Sequence, residues 1–181
     1  MSETTLAEGV FDFELPNVGV GPDPLGLDAV VAASDFAVLL FLRDYHCPKC
    51  KAQVSEISEH ARTFNELKTA VLPILPEPRD RAEQWRDNVV ENFPFPLLAD
   101  GEKRVAEQYD QPTRYGAVGN LHDLLGRLPQ SVVLDTRGDS VDVIFTHRGD
   151  SIDDRPAAED LIDTVEEVQE SFVFDCSLVE C

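Results

Sequence analysis

Seven apolar residues in a row, Phe36 to Leu42, run into Arg43-Asp44-Tyr45-His46 and then Cys47-Pro48-Lys49-Cys50. No other feature constrains the fold as tightly. A continuous apolar run of this length marks a strand covered on both faces. Beyond it, from Pro48 to about Lys68, Ala52, Val54, Ile57, Ala61, Phe64 and Leu67 approximate helical spacing. Proline suits the first helical position, because its missing N–H would have had no intrahelical partner there. The cysteine pair therefore stands where a buried strand hands over to a helix.

The flanking sequence supplies the rest of the sheet. Phe11 to Leu15 alternates as a short strand, and NVGVGPDPLG is a turn-rich connection to a short helix at Leu27 to Ala33. A second buried strand is predicted at Ala70 to Leu75, and PFPLLAD carries a third. Helices follow at Asp80 to Glu91, with the single Trp85 as core, and at Glu102 to Tyr109. Gln111 to Gly126 reads as a loop with one helical turn at Asn120 to Leu125. Thr136-Arg137-Gly138-Asp139 separates strands Ser131 to Asp135 and Val141 to His147 in a hairpin pattern. Ala157 to Ser171 is an acidic amphipathic helix that buries Leu161, Ile162, Val165 and Val168. Residues 1–9 read as a loose terminus, 10–171 as one domain, and 172–181 as a tail with Cys176 and Cys181 in a CxxxxC spacing. Alternating strands and helices imply a parallel sheet and the hairpin adds antiparallel strands, so the class is α/β with a mixed central sheet and helices on both faces. Ligands in such sheets sit beyond the carboxyl ends of the strands, where Cys47 falls.

Charge narrows the function. Thirty-five Asp and Glu against fifteen Lys and Arg leave a net charge of -20. That charge repels phosphate backbones and anionic lipid, so nucleic-acid and membrane partners are disfavoured. The acids are dispersed rather than gathered in a tail, as in a solvated shell over a folded body. Their mutual repulsion is relieved where salt screens it, the Debye length being about 3 Å at 1 M, which leads to the expectation of a high-salt cytoplasm such as a halophile's. The chain starts without a basic-then-apolar leader, and the expected location is cytoplasmic. In a reducing cytosol, four cysteines point to catalysis or metal binding rather than structural disulfides.

At a helix start, the Cys47 sulfur faces unpaired N–H groups and the positive end of the helix dipole, and both favour thiolate. Lys49 and Lys51, two of only four lysines, flank Cys50 and are expected to strengthen the effect. His46 adds to it when protonated, and Tyr45 is read as a wall of the site. Cys50, one turn on, can attack a mixed disulfide at Cys47 and release the partner. Two other readings of the same cysteines stay open: small buried hydrophobes, or a zinc site completed by Cys176 and Cys181.

The run LLFLRDYHCPKCKAQVSEI resembles the active-site segment of the thioredoxin-like branch of the alkyl hydroperoxide reductase/thiol-specific antioxidant (peroxiredoxin-like) family. FPLLADGEKRVAEQYD and LPQSVVLDTRGDSVDVIFTHRGD resemble later segments of that family, in the same order. The resemblance covers roughly residues 10 to 170. It implies a thioredoxin fold, Cys47 as nucleophile, Cys50 as its resolving partner with Pro48 and Lys49 between them, and Pro129 as the cis-proline that faces the disulfide. A cis X–Pro bond there would present the preceding carbonyl to an extended substrate. Asp44 and Pro129 stand where the family carries a peroxide-polarising Thr and Arg. Arg43, Arg127 or Arg148 could supply the missing cation. This departure puts thiol-disulfide exchange first, thiol-dependent peroxide reduction second, and a zinc-stabilised binding module third. The redox reading needs no cofactor and no metal. Its partners are a protein or small-molecule disulfide or a peroxide, with an external thiol reductant such as a thioredoxin system.

Overall fold

The apolar run forms the strand expected of it and lies inside a six-stranded sheet. The structure, a computed structural model, describes residues 5–114 and 126–178, with 172–178 by backbone alone. The strands are β1 (Thr5–Leu6), β2 (Glu14–Leu15), β3 (Leu25–Gly26), β4 (Phe36–Phe41), β5 (Thr69–Leu75), β6 (Leu98–Ala99), β7 (Gln130–Asp135) and β8 (Ser140–Arg148). The helices are α1 (Leu27–Ala33), α2 (Pro48–Glu59), α3 (Ala61–Glu66), α4 (Arg79–Asp87), α5 (Arg104–Gln108) and α6 (Ala158–Leu178).

The sheet order is β1-β8-β7-β4-β5-β6. β4 pairs with β5 in parallel and with β7 antiparallel, and β7 and β8 form the hairpin. This is the mixed sheet of a thioredoxin-like fold. Period-two geometry divides the β4 side chains between two cores. Phe36, Val38 and Leu40 pack on the layer of α2, α4 and α6, with Val54, Ile57, Trp85, Leu161 and Val165. Ala37, Leu39 and Phe41 pack on the opposite layer, with Leu27, Val30, Val105 and Ala106 of α1 and α5. Helices on both faces thus explain why β4 carries no polar residue.

Several boundaries differ from expectation. The terminus read as loose contains β1, which pairs with β8. Of the strand at Phe11 to Leu15, only β2 forms, paired with β3. The long helix after the cysteines breaks at His60, whose N–H bonds back to Ile57 O, giving α2 and α3. Helix α6 runs past residue 171, so Cys176 falls on its backbone rather than in a separate tail. The helical turn expected at 120–125 lies outside the described residues, as does Cys181. Among the described residues no helix is long and apolar enough to cross a membrane.

Candidate active site

Cys47 is the N-cap of α2, with extended backbone (φ −67°, ψ 106°) and Pro48 behind it as the first helical residue. Its Sγ accepts a hydrogen bond from the Cys50 N–H at 3.2 Å, one of the helix-terminal donors that would otherwise lack a partner. Both cysteines are free thiols. Cys47 is 3% exposed and Cys50 0%, so the second sulfur lies wholly inside the α2–α6 core and the first at its margin.

Two guanidinium groups converge on these sulfurs. Arg43, at the end of β4, places Nη1 at 4.0 Å from Cys47 Sγ, and its backbone N–H donates to Cys50 Sγ at 3.3 Å. Its Nε donates to the Arg127 carbonyl at 2.6 Å. Arg155, in the loop before α6, brings Nη2 to 3.6 Å from Cys47 Sγ and 3.4 Å from Cys50 Sγ. Arg155 is itself held: Nε donates to Ile152 O at 2.9 Å and Nη1 to Gln53 Oε1 at 2.8 Å. Gln53, one turn beyond Cys50, also donates to Pro156 O at 3.5 Å, so a single α2 side chain clamps the loop at two points.

The Cys47 pKa is lowered from its ordinary value to about 6. The hydrogen bond from the Cys50 thiol is the largest cause. Burial opposes it, and the Cys50 N–H and the charges of Arg155 and Arg43 add to it. The Cys50 thiol is pushed well up, first by burial and then by its bond to Cys47, with Arg155 pulling the other way. One sulfur is thus a thiolate near neutral pH and the other holds its proton, which is the division of labour that nucleophile and resolver require.

The remaining residues singled out from sequence sit around this centre in other roles. Lys49 pairs with Asp153 at 2.7 Å and Lys51 lies 5.7 Å from the Tyr45 ring centroid, so the cations at the sulfur are arginines and not these lysines. Tyr45 is half-buried, its N–H on Glu77 Oε1 at 3.2 Å and its ring under Arg81 at 4.5 Å. His46 is exposed, its ring 3.5 Å from Arg81 Nη2, and its backbone N–H donates to Asp44 Oδ1 at 2.8 Å. Buried Asp44 therefore caps the turn that leads to Cys47 and lies 3.9 Å from Arg43. Arg148 pairs with Asp110 at 3.6 Å on the surface. Arg127 is buried with Nη1 3.4 Å from Gln111 Oε1 and supports Arg43 through its carbonyl.

Pro129 requires a correction. Its peptide bond is trans, the cis bond among the described residues being Asp23–Pro24. The Leu128 carbonyl before it accepts from Gln111 Nε2 at 2.9 Å, and the Pro129 carbonyl accepts from Gly149 N–H at 2.9 Å. Neither carbonyl is open to an extended substrate. Pro129 instead supports the Arg155 loop. A Cβ on Gly149 would stand 2.5 Å from Asp154 O and 2.8 Å from Pro129 Cγ, so the loop closes on the proline only because residue 149 has no side chain. Sequence reading missed Arg155 altogether. The one local signal was an arginine closing the acidic stretch GDSIDDRP.

A sequence model of the AhpC/TSA family matches residues 7–141. Among solved structures, Enterococcus faecalis AhpC shares 18% identity over 99% of each chain at a TM-score of 0.74. Mycobacterium tuberculosis peroxidoxin BcpB shares 25% identity over 92% of this chain and 99% of its own, at 0.68. Xanthomonas campestris peroxiredoxin Q shares 17% over 92% and 97%, at 0.69. No curated protein matches by sequence.

Proposed function

From the premise that the chain belongs to the AhpC/TSA family, whose members are thiol-dependent oxidoreductases, we propose that it reduces hydroperoxides through Cys47 and closes a Cys47–Cys50 disulfide in each turnover. The observation that carries this reading is the pair of guanidinium groups, Arg43 and Arg155, at the Cys47 sulfur. They supply the polarising charge that the missing Thr and Arg would have given, and so move peroxide reduction ahead of disulfide exchange.

The Cys47 thiolate attacks one peroxide oxygen. The S–O bond forms as O–O breaks, and the departing alkoxide takes a proton from water to leave as alcohol. Guanidinium N–H groups bond more strongly to the developing alkoxide than to the neutral peroxide, which is differential stabilisation of the transition state. Cys50 then displaces the sulfenic oxygen as water, and two equivalents of an external thiol return the disulfide to the dithiol. Stopped-flow oxidation of the reduced protein by hydrogen peroxide tests the proposal. A rate well above that of free cysteine is expected, and a rate equal to it sinks the peroxidase reading.

Thiol-disulfide exchange is the second reading, favoured by the placement of both sulfurs in one helical turn. The occupied carbonyls of Leu128 and Pro129 weigh against an extended polypeptide as the disulfide substrate. A cytoplasmic setting and a thioredoxin-type reductant fit both readings.

A further inference from the structure

Arg155 is the one guanidinium whose side chain reaches both sulfurs among the described residues. Its Nη2 lies slightly nearer Cys50 than Cys47, at 3.4 against 3.6 Å, whereas the Arg43 guanidinium approaches only Cys47. A buried thiol with 0% exposure has no water to stabilise its anion. The resolving step nevertheless needs Cys50 as a thiolate.

We propose that Arg155 is a catalytic residue of the resolving step, transferring its hydrogen bond from Cys47 to Cys50 once Cys47 has been oxidised. While Cys47 is a thiolate, the guanidinium is shared between the sulfurs. When Cys47 becomes a sulfenic acid or a mixed disulfide its negative charge is gone, and Cys50 becomes the better acceptor. The groups that act on Cys50 are Cys47 on its own helix, the Arg43 backbone N–H just past β4, and the Arg155 charge from the loop before α6. Of these, oxidation removes the charge of Cys47, which held the Cys50 proton on, and leaves the Arg43 N–H and the Arg155 guanidinium. The Cys50 thiolate then attacks the Cys47 sulfur. The S–S bond forms and the S–O bond breaks, and the departing hydroxide combines with the proton that Cys50 released to give water. With an aromatic mixed disulfide in place of the sulfenic acid, the same attack expels the aromatic thiolate. The double clamp by Gln53 and the closure of the loop on Pro129 keep the guanidinium in place through both steps.

This rests on the Cys47-then-Cys50 order proposed above but does not depend on the oxidant being a peroxide, and the experiment exploits that. In a background with Cys176 and Cys181 replaced by serine, the reduced protein is mixed with 5,5′-dithiobis(2-nitrobenzoate). The first thionitrobenzoate released reports attack by Cys47 and the second reports resolution by Cys50. In R155Q the second phase is expected to slow roughly tenfold, the effect of one unit in the Cys50 midpoint, with its pH profile displaced to higher pH. In R43Q the first phase slows and the second is retained. R155K, which keeps the charge but not the planar fork, is expected to fall between wild type and R155Q. An R155Q second phase unchanged at every pH overturns the proposal. If R155Q does not fold, an unchanged second phase in R155K overturns it equally. Hydrogen peroxide oxidation of the wild type, measured separately, decides the peroxidase reading without touching this one.

Discussion

Cys47 and Cys50 stand one helical turn apart, yet their protons are pulled in opposite directions. The sharpest residue-scale test follows from the order of causes at Cys47, where the Cys50 thiol matters more than either arginine. Cys50→Ala removes that donor, so the Cys47 midpoint is expected to climb above about 6, read as the pH dependence of its alkylation by iodoacetamide. The sign is fixed. A lowered thiol pKa means that thiolate, and with it reactivity, is present above about 6 and lost as pH falls through it. Asp44→Ala leaves the His46 N–H without its acceptor and is expected to cost about 1 kcal/mol in denaturant unfolding. The reactive pair was legible at this scale because CxxC, strand and helix fall together in sequence. The cations were legible only in part: Arg43 stood among the candidates and Arg155 did not. Lys49 and Lys51 are near in sequence but turn outward to Asp153 and Tyr45, whereas Arg155 reaches the sulfur across 108 positions. The arginine that closes GDSIDDRP is a local oddity, but nothing around it says which distant residue it reaches.

At the scale of elements, the loop between β8 and α6 matters as much as the helix that presents Cys47. Gly149→Ala would drive a methyl group into Asp154 O and Pro129. The expected result is a displaced Arg155, a raised Cys47 midpoint and a cooperative unfolding transition still present, measured by alkylation and circular dichroism on one sample. Leu161→Ala on α6, fully buried, is expected to cost about 2–5 kcal/mol by cavity formation. The α1 bounds, the β4 run and the β7–β8 hairpin were readable because burial imposes period and turn chemistry on sequence. β1 and β3 were hard to read because each is two residues long. Their pairing rests on backbone hydrogen bonds, which leave little trace in side-chain pattern. The break at His60 was hidden for a related reason, since Ala61 and Phe64 continue the apolar spacing across it.

For the molecule as a whole, the charge of -20 makes stability a function of salt. Raising NaCl from low to molar concentration is expected to lift the melting temperature. A gain of about 2 kcal/mol would appear as roughly 4–8 °C, and a flat series would remove the inference of a high-salt setting. A different consequence follows from the complete enclosure of Cys50. An incoming reductant can meet the disulfide only at Cys47, the atom that had earlier met the oxidant. The two substrates therefore compete for one sulfur and never occupy it together. Steady-state turnover should obey ping-pong kinetics, with parallel double-reciprocal lines when one substrate is varied at fixed levels of the other.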